Sequence, residues 1–208
     1  CMKLSYLLAA LAEHEICRAL SAQEPDITGL DFYDEGVLCG EGRLLLCTAA
    51  EAHAAAKMNA AALCVCGEGA RLPEGADGCA CSCGEMAAFR LLSGALEEYA
   101  RWRAVLLDAF CRGAYADALL ELGAGLVSAG LYLLNAGGQL LASAGTQTGA
   151  PDGAAFLNLD ALPAADGGAA MHRTADGGTL AVRRLECGCL LAAACGSAPP
   201  ERVCALLE

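Results

Sequence analysis

The chain has 208 residues, 56% of them hydrophobic but only 5% aromatic, so its core must be built from Ala, Leu, Val and Cys. Its formal net charge is −12, with 13 Lys and Arg in all. That charge excludes nucleic-acid binding by this chain itself, because phosphate contacts need clustered bases. No apolar run approaches the length of a membrane span.

Met2 to Glu15 predicts an amphipathic first helix with Leu4, Leu7, Leu8 and Leu11 on one face, rather than a secretory leader with a single Lys3. Cys1 precedes a natural start at Met2 and is given no role. Asp26 to Asp34 reads as a strand. Arg43 to Thr48 (RLLLCT) is a compact apolar run that suits a strand covered on both faces. Ala49 to Ala61 is rich in helix formers, Ala62 to Cys66 (ALCVC) reads as a second buried strand, and Cys79 to Cys83 (CACSC) as a third, short one. Strand, helix, strand, loop, strand predicts a small α/β unit with at least partly parallel pairing.

Glu85 to about Gly123 reads as helix, interrupted near Arg112-Gly113. Leu92, Tyr99, Leu106, Gly113 and Leu120 recur every seven residues, with Ala95, Trp102, Ala109 and Ala116 three after the first four. Such a seam packs on its own domain or joins two copies as a signal-transmitting dimer. Next, Gly130 to Gly145 (GLYLLNAGGQLLASAG) is a hairpin, its apolar arms joined through Asn135-Ala136-Gly137-Gly138. Thr179 to Cys195 reads as two strands joined tightly around Glu186-Cys187, and Pro199-Pro200-Glu201 opens a closing helix.

The chain holds 14 cysteines. Cys64-Val65-Cys66, Cys79-Ala80-Cys81-Ser82-Cys83 and Cys187-Gly188-Cys189 all have C-x-C spacing, which on a strand turns both thiols to one face. Free Cys in that setting behaves as a small hydrophobe. Cys79, Cys81 and Cys83 are the candidate ligands for a soft ion, although paired C-x-x-C knuckles are missing from the sequence. So many free thiols fit a reducing cytoplasm better than an oxidising compartment.

Catalytic patterns are missing. His14, His53 and His172 have no nucleophile or ligand partner at useful spacing, apart from Asp176 four after His172. Cys39-Gly40-Glu41-Gly42 leads into a strand instead of a helix, so it is not a phosphate loop. Asp31, Asp34 and Glu35 read as a solvated acidic edge. The sequence predicts a non-enzymatic protein with no cofactor.

Taken in order, the opening MKLSYLLAAL, the RLLLCT and ALCVC strands, the helical FRLLSGALEEYARWRAVLLDAF and the GLYLLNAGGQLLASAG hairpin resemble the sensory half of a PucR/CdaR-type bacterial transcription regulator. The resemblance implies an α+β chain: residues 1–84 as a PucR-like α/β domain, 85–123 as a helical linker, and 124–208 as a GAF/PAS-like domain with an antiparallel sheet. It implies a small-molecule effector held between the sheet begun at Leu131 and a middle segment, Pro151 to Leu162. It also implies a homodimer, and DNA contact only through a helix-turn-helix beyond Glu208. The alternative is a thiol-based metal or redox sensor using Cys79, Cys81 and Cys83.

Overall fold

The structure, a computed structural model, describes residues 2–37, 39–145, 168–173, 179–195 and 200–207. Helices and sheets are both present, and the chain divides into two compact units, Cys1–Tyr99 and Ala100–Glu208.

The first unit contains β1 (Met2–Lys3), α1 (Leu4–Leu8), β2 (Glu15–Ala19), β3 (Asp26–Ile27), β4 (Gly29–Phe32), β5 (Arg43–Thr48), α2 (Ala52–Ala55), β6 (Ala62–Cys66) and β7 (Gly78–Cys81). Its main sheet has the order β2-β7-β6-β5-β4. Strands β4 to β7 are parallel, and β2 closes one edge antiparallel to β7. Strands β5, β6 and β7 are buried nearly throughout, as expected of parallel strands covered on both faces. One face carries Leu45, Cys47, Leu63, Val65 and Ala80, packed with Ala52 and Ala55 of α2. Strand alternation therefore turns Leu44, Leu46, Cys64, Cys66, Cys79 and Cys81 to the opposite face.

Two expected helices are shorter than their sequences suggest. Leu4, Leu7, Leu8 and Leu11 are all fully buried, but the helix stops at Leu8 and a 3-10 turn carries the chain to Leu11. Glu15 to Ala19 then pairs antiparallel with β7, whose free edge takes up the hydrogen bonds of this backbone. Only Ala52–Ala55 of the Ala-rich segment is α-helical. Alanine content favours extending a helix but does not by itself offset the cost of starting one. Glu51 accepts hydrogen bonds from the Thr48 backbone N–H and hydroxyl at 2.9 and 2.7 Å, one half of a capping box.

Helix α3 (Glu85–Cys111) crosses the division between the units. It ends beside Gly113, whose φ is +83°, near the predicted interruption, and α4 follows as Ala116–Val127. Along the predicted seam Leu92, Trp102 and Leu120 are buried, whereas Gly113 and Ala116 are exposed.

The second unit adds β8 (Gly130–Leu134), β9 (Leu140–Ala144), β10 (Ala170–Arg173), β11 (Thr179–Arg184), β12 (Leu190–Ala194) and α5 (Pro200–Leu207). Its sheet is antiparallel with the order β10-β11-β12-β8-β9, so the unit's first and last strands lie side by side. The two hairpins close alike: Asn135 N–H donates to the Gln139 carbonyl and Leu185 N–H to that of Cys189, each at 2.8 Å. Gly138 and Gly188 supply the positive φ, at +81° and +85°. In the first turn the Asn135 side-chain oxygen also accepts from the backbone N–H groups of Gly137 and Gln139. Helices α4 and α5 lie on the sheet, with Gly123 allowing close approach to Leu131 and the Cys204 thiol 3.4 Å from the Met171 sulfur. Tyr132, Leu134, Leu180, Val182, Leu190 and Ala192 form the core on the other face.

Candidate functional site

Two C-x-C segments meet on the first sheet. Cys64 stands opposite Cys79 and Cys66 opposite Cys81 across the parallel pair β6 and β7. Because each pair shares a face, this register gathers four thiols into one patch, and Cys83 follows immediately after β7. The Sγ atoms of Cys64, Cys66 and Cys81 form a triangle with edges of 3.7, 3.9 and 3.7 Å. Cys79 lies 3.8 Å from Cys64, and Cys83 lies 3.6 Å from Cys81. Cys64, Cys79 and Cys81 are fully buried, Cys66 nearly so, and Cys83 is only half-buried at the C-terminal end of the strands, directly before α3.

The thiols differ in acidity because they share protons in a dry setting. Contacts with the Cys66, Cys79 and Cys81 thiols, together with burial, push Cys64 strongly up. Cys66 is also raised: its contact with Cys64 favours ionisation, but the contact with Cys81 and burial outweigh it. Cys81 is lowered: its contacts with the Cys64 and Cys66 thiols favour the ionised form, and Cys83 adds side-chain and backbone support against the opposing effect of burial. Burial and the neighbouring Cys81 push Cys83 up to about 11. Cys83, less buried than the other four thiols, stands beside Cys81 on the solvent side of the cluster.

The cluster includes Cys81 of the candidate set Cys79, Cys81 and Cys83 as a corner of the triangle, with the other two on its flanks. Cys64 and Cys66 complete it. The sequence held both C-x-C pairs and predicted both strands, but the in-register pairing that unites them is a long-range property. Chemically, the arrangement suits a soft cation, for which thiolate sulfur is the preferred ligand.

The third C-x-C pair departs from expectation. Cys187 and Cys189 are not on a strand: they occupy the β11–β12 turn, because Gly188 takes a positive φ there. Cys187 is exposed, and its thiol is lowered by backbone and side-chain hydrogen bonds involving Cys189.

Asp31 is not merely a solvated acid. Arg43 grips it with two hydrogen bonds, of 2.9 and 2.6 Å, linking β4 to β5, and holds its carboxyl below the usual range. Asp34 and Glu35 remain exposed. His14 and His53 are exposed, whereas His172 lies on edge strand β10 with its Nε2 buried and without a hydrogen-bond partner among the described residues. Cross-strand pairing of His172 with Leu180 sets it on the Tyr132–Val182 face of the second sheet. Asp176 and the middle segment Pro151 to Leu162 lie outside the described residues.

Among the described residues, no helix is long and apolar enough to cross a membrane. Comparison with protein-family models, with curated proteins and with solved structures gives no match to this chain.

Proposed function

We propose that the chain is the ligand-responsive regulatory region of a bacterial transcription regulator of the PucR/CdaR type. In this reading the first unit is the PucR-like α/β part and the second a GAF/PAS-like sensor. A small molecule is held on the Tyr132–Val182 face of the second sheet, and DNA is read by a segment outside this chain. The observation that carries the reading is the second unit's five-stranded antiparallel sheet, entered by a hairpin and closed by a terminal helix, which follows an α/β unit and a long helix in the expected order. Tyr132 and His172, with Ser143 and Arg184 on the same face by register, supply a few polar groups on a largely apolar sheet face, the composition usual for a small-molecule site. Signalling requires that the effector bind two arrangements of the helices with different affinity.

Thermal unfolding of the chain with a panel of purines, amino acids and sugar acids tests the proposal. A member of the panel that raises the transition temperature, with the rise abolished in His172→Ala and Tyr132→Phe, is the expected result. Light scattering should report a dimer. A strict monomer that no panel member stabilises overturns the reading.

A further inference from the structure

We propose that Cys64, Cys66 and Cys81 form a trithiolate site for a soft d10 cation, with the Cys83 thiol as its closing ligand. The site lies wholly in the first unit and does not depend on the regulatory reading.

Three sulfurs separated by 3.7, 3.7 and 3.9 Å place an ion at their centre about 2.2 Å from each. A metal–sulfur bond to zinc is about 2.3 Å, and four such bonds at the tetrahedral angle set the sulfurs about 3.8 Å apart. The triangle is therefore one face of a thiolate tetrahedron, or the whole of a trigonal Cu(I) site. Little main-chain movement is required, because all three sulfurs stand on adjacent, hydrogen-bonded strands.

The fourth position is set by topology. Cys83 is 3.6 Å from Cys81, lies just past the end of β7 and is the only one of the five thiols that is not buried. To close the site its thiol must move toward Cys64 and Cys66, since the sulfurs within 4.8 Å of one another are those of Cys64, Cys66 and Cys81. Cys79 sits behind Cys64 in the sheet interior and is left as packing.

Charge and protons balance. Cu(I) and three thiols give a tris-thiolate complex of charge 2− with three protons released to solvent; Zn(II) and four thiols give the same charge with four released.

The experiment uses the reduced, full chain with Zn(II), Cu(I) and Co(II) as probes, each competed against a chromophoric chelator. One equivalent should bind, and Co(II) should develop a thiolate-to-metal charge-transfer band. Cys66→Ser should weaken binding at least about 100-fold, and Cys83→Ser should weaken Zn(II) and Co(II) by about 10-fold or more. Retained Cu(I) affinity in Cys83→Ser identifies the trigonal form, whereas parallel loss identifies the tetrahedral one. Should Cys66→Ser fail to fold, Cys83→Ser carries the test, since that side chain lies past the strand end. Absence of a tightly held equivalent, unchanged affinity in both variants, or a site abolished only by Cys187→Ser overturns the proposal.

Discussion

The two sheets of this protein use the same C-x-C spacing to opposite ends. In the first, two such pairs fall on neighbouring parallel strands in matched register, and their thiols are buried against one another. In the second, the pair Cys187 and Cys189 spans a glycine turn, and Cys187 projects into water. A sequence spacing is thus only a local geometry: the strand converts it into a shared face, and the turn into an exposed corner. Whether the thiols become a cluster depends on what the neighbouring strand brings.

Glycine separates the two environments most strongly. Gly78, where β7 enters the sheet, has φ +140°, and a Cβ there would overlap the Leu63 carbonyl of β6. Gly78→Ala should destabilise the chain by about 3 kcal/mol or more, because the backbone must shift within the strand pair that holds the thiols. Gly188→Ala, at φ +85° with only the Ala136 Cβ nearby at 4.0 Å, should cost about 1 kcal/mol. Urea unfolding of the two variants measures both; equal losses would mean that strand entry and turn are not different environments.

A smaller effect separates the cysteines. Cys79→Ser buries a hydroxyl among thiols and apolar side chains and should destabilise by about 1–3 kcal/mol. Cys187→Ser, at the exposed turn, should change stability by no more than about 0.5 kcal/mol. Alkylation of the native protein near neutral pH should mark Cys187, whose thiol is lowered, before any of Cys64, Cys66 or Cys79. Mass mapping of the modified peptides reads that order, and early modification of Cys64 or Cys79 would contradict the buried cluster.

The smallest effect concerns the far edge of the first sheet. The Arg43 guanidinium lowers the Asp31 carboxyl, so this pair contributes stability above the unfolded carboxylate value of about 3.9, and the contribution is lost as pH falls through the folded value. Asp31 is 39% exposed, and solvent screening keeps the contribution below about 1 kcal/mol. Asp31→Asn should flatten the acid side of the stability–pH profile by that small amount and leave stability near neutral pH only slightly reduced. A variant that keeps the wild-type acid slope would remove the pair from the account.

Much of the fold was legible in the residues. RLLLCT and ALCVC are strands with the expected bounds, because short, bounded apolar runs of Leu, Val and Cys have few other ways to be buried. The helix break beside Gly113 and the hairpins at Asn135 to Gln139 and Leu185 to Cys189 were readable for the same kind of reason: glycine reaches positive φ at low cost, whatever surrounds it. Element type near a strong local signal is a property of a few neighbouring residues. Local residue patterns thus account for the α+β character, the principal strands and the net negative charge.

Tertiary structure alone decided the rest. Glu15 to Ala19 became an edge strand because β7 had an open side, and the Ala-rich segment kept a single helical turn because helix propensity alone does not offset the cost of initiation. Asp31 became half of an ion pair through the β4–β5 register. The thiol cluster is the clearest case: Cys64 and Cys81 are far apart along the chain, yet one register places their sulfurs 3.9 Å apart. Pairing between strands is fixed by the global packing of both sheet faces, and no local spacing encodes it.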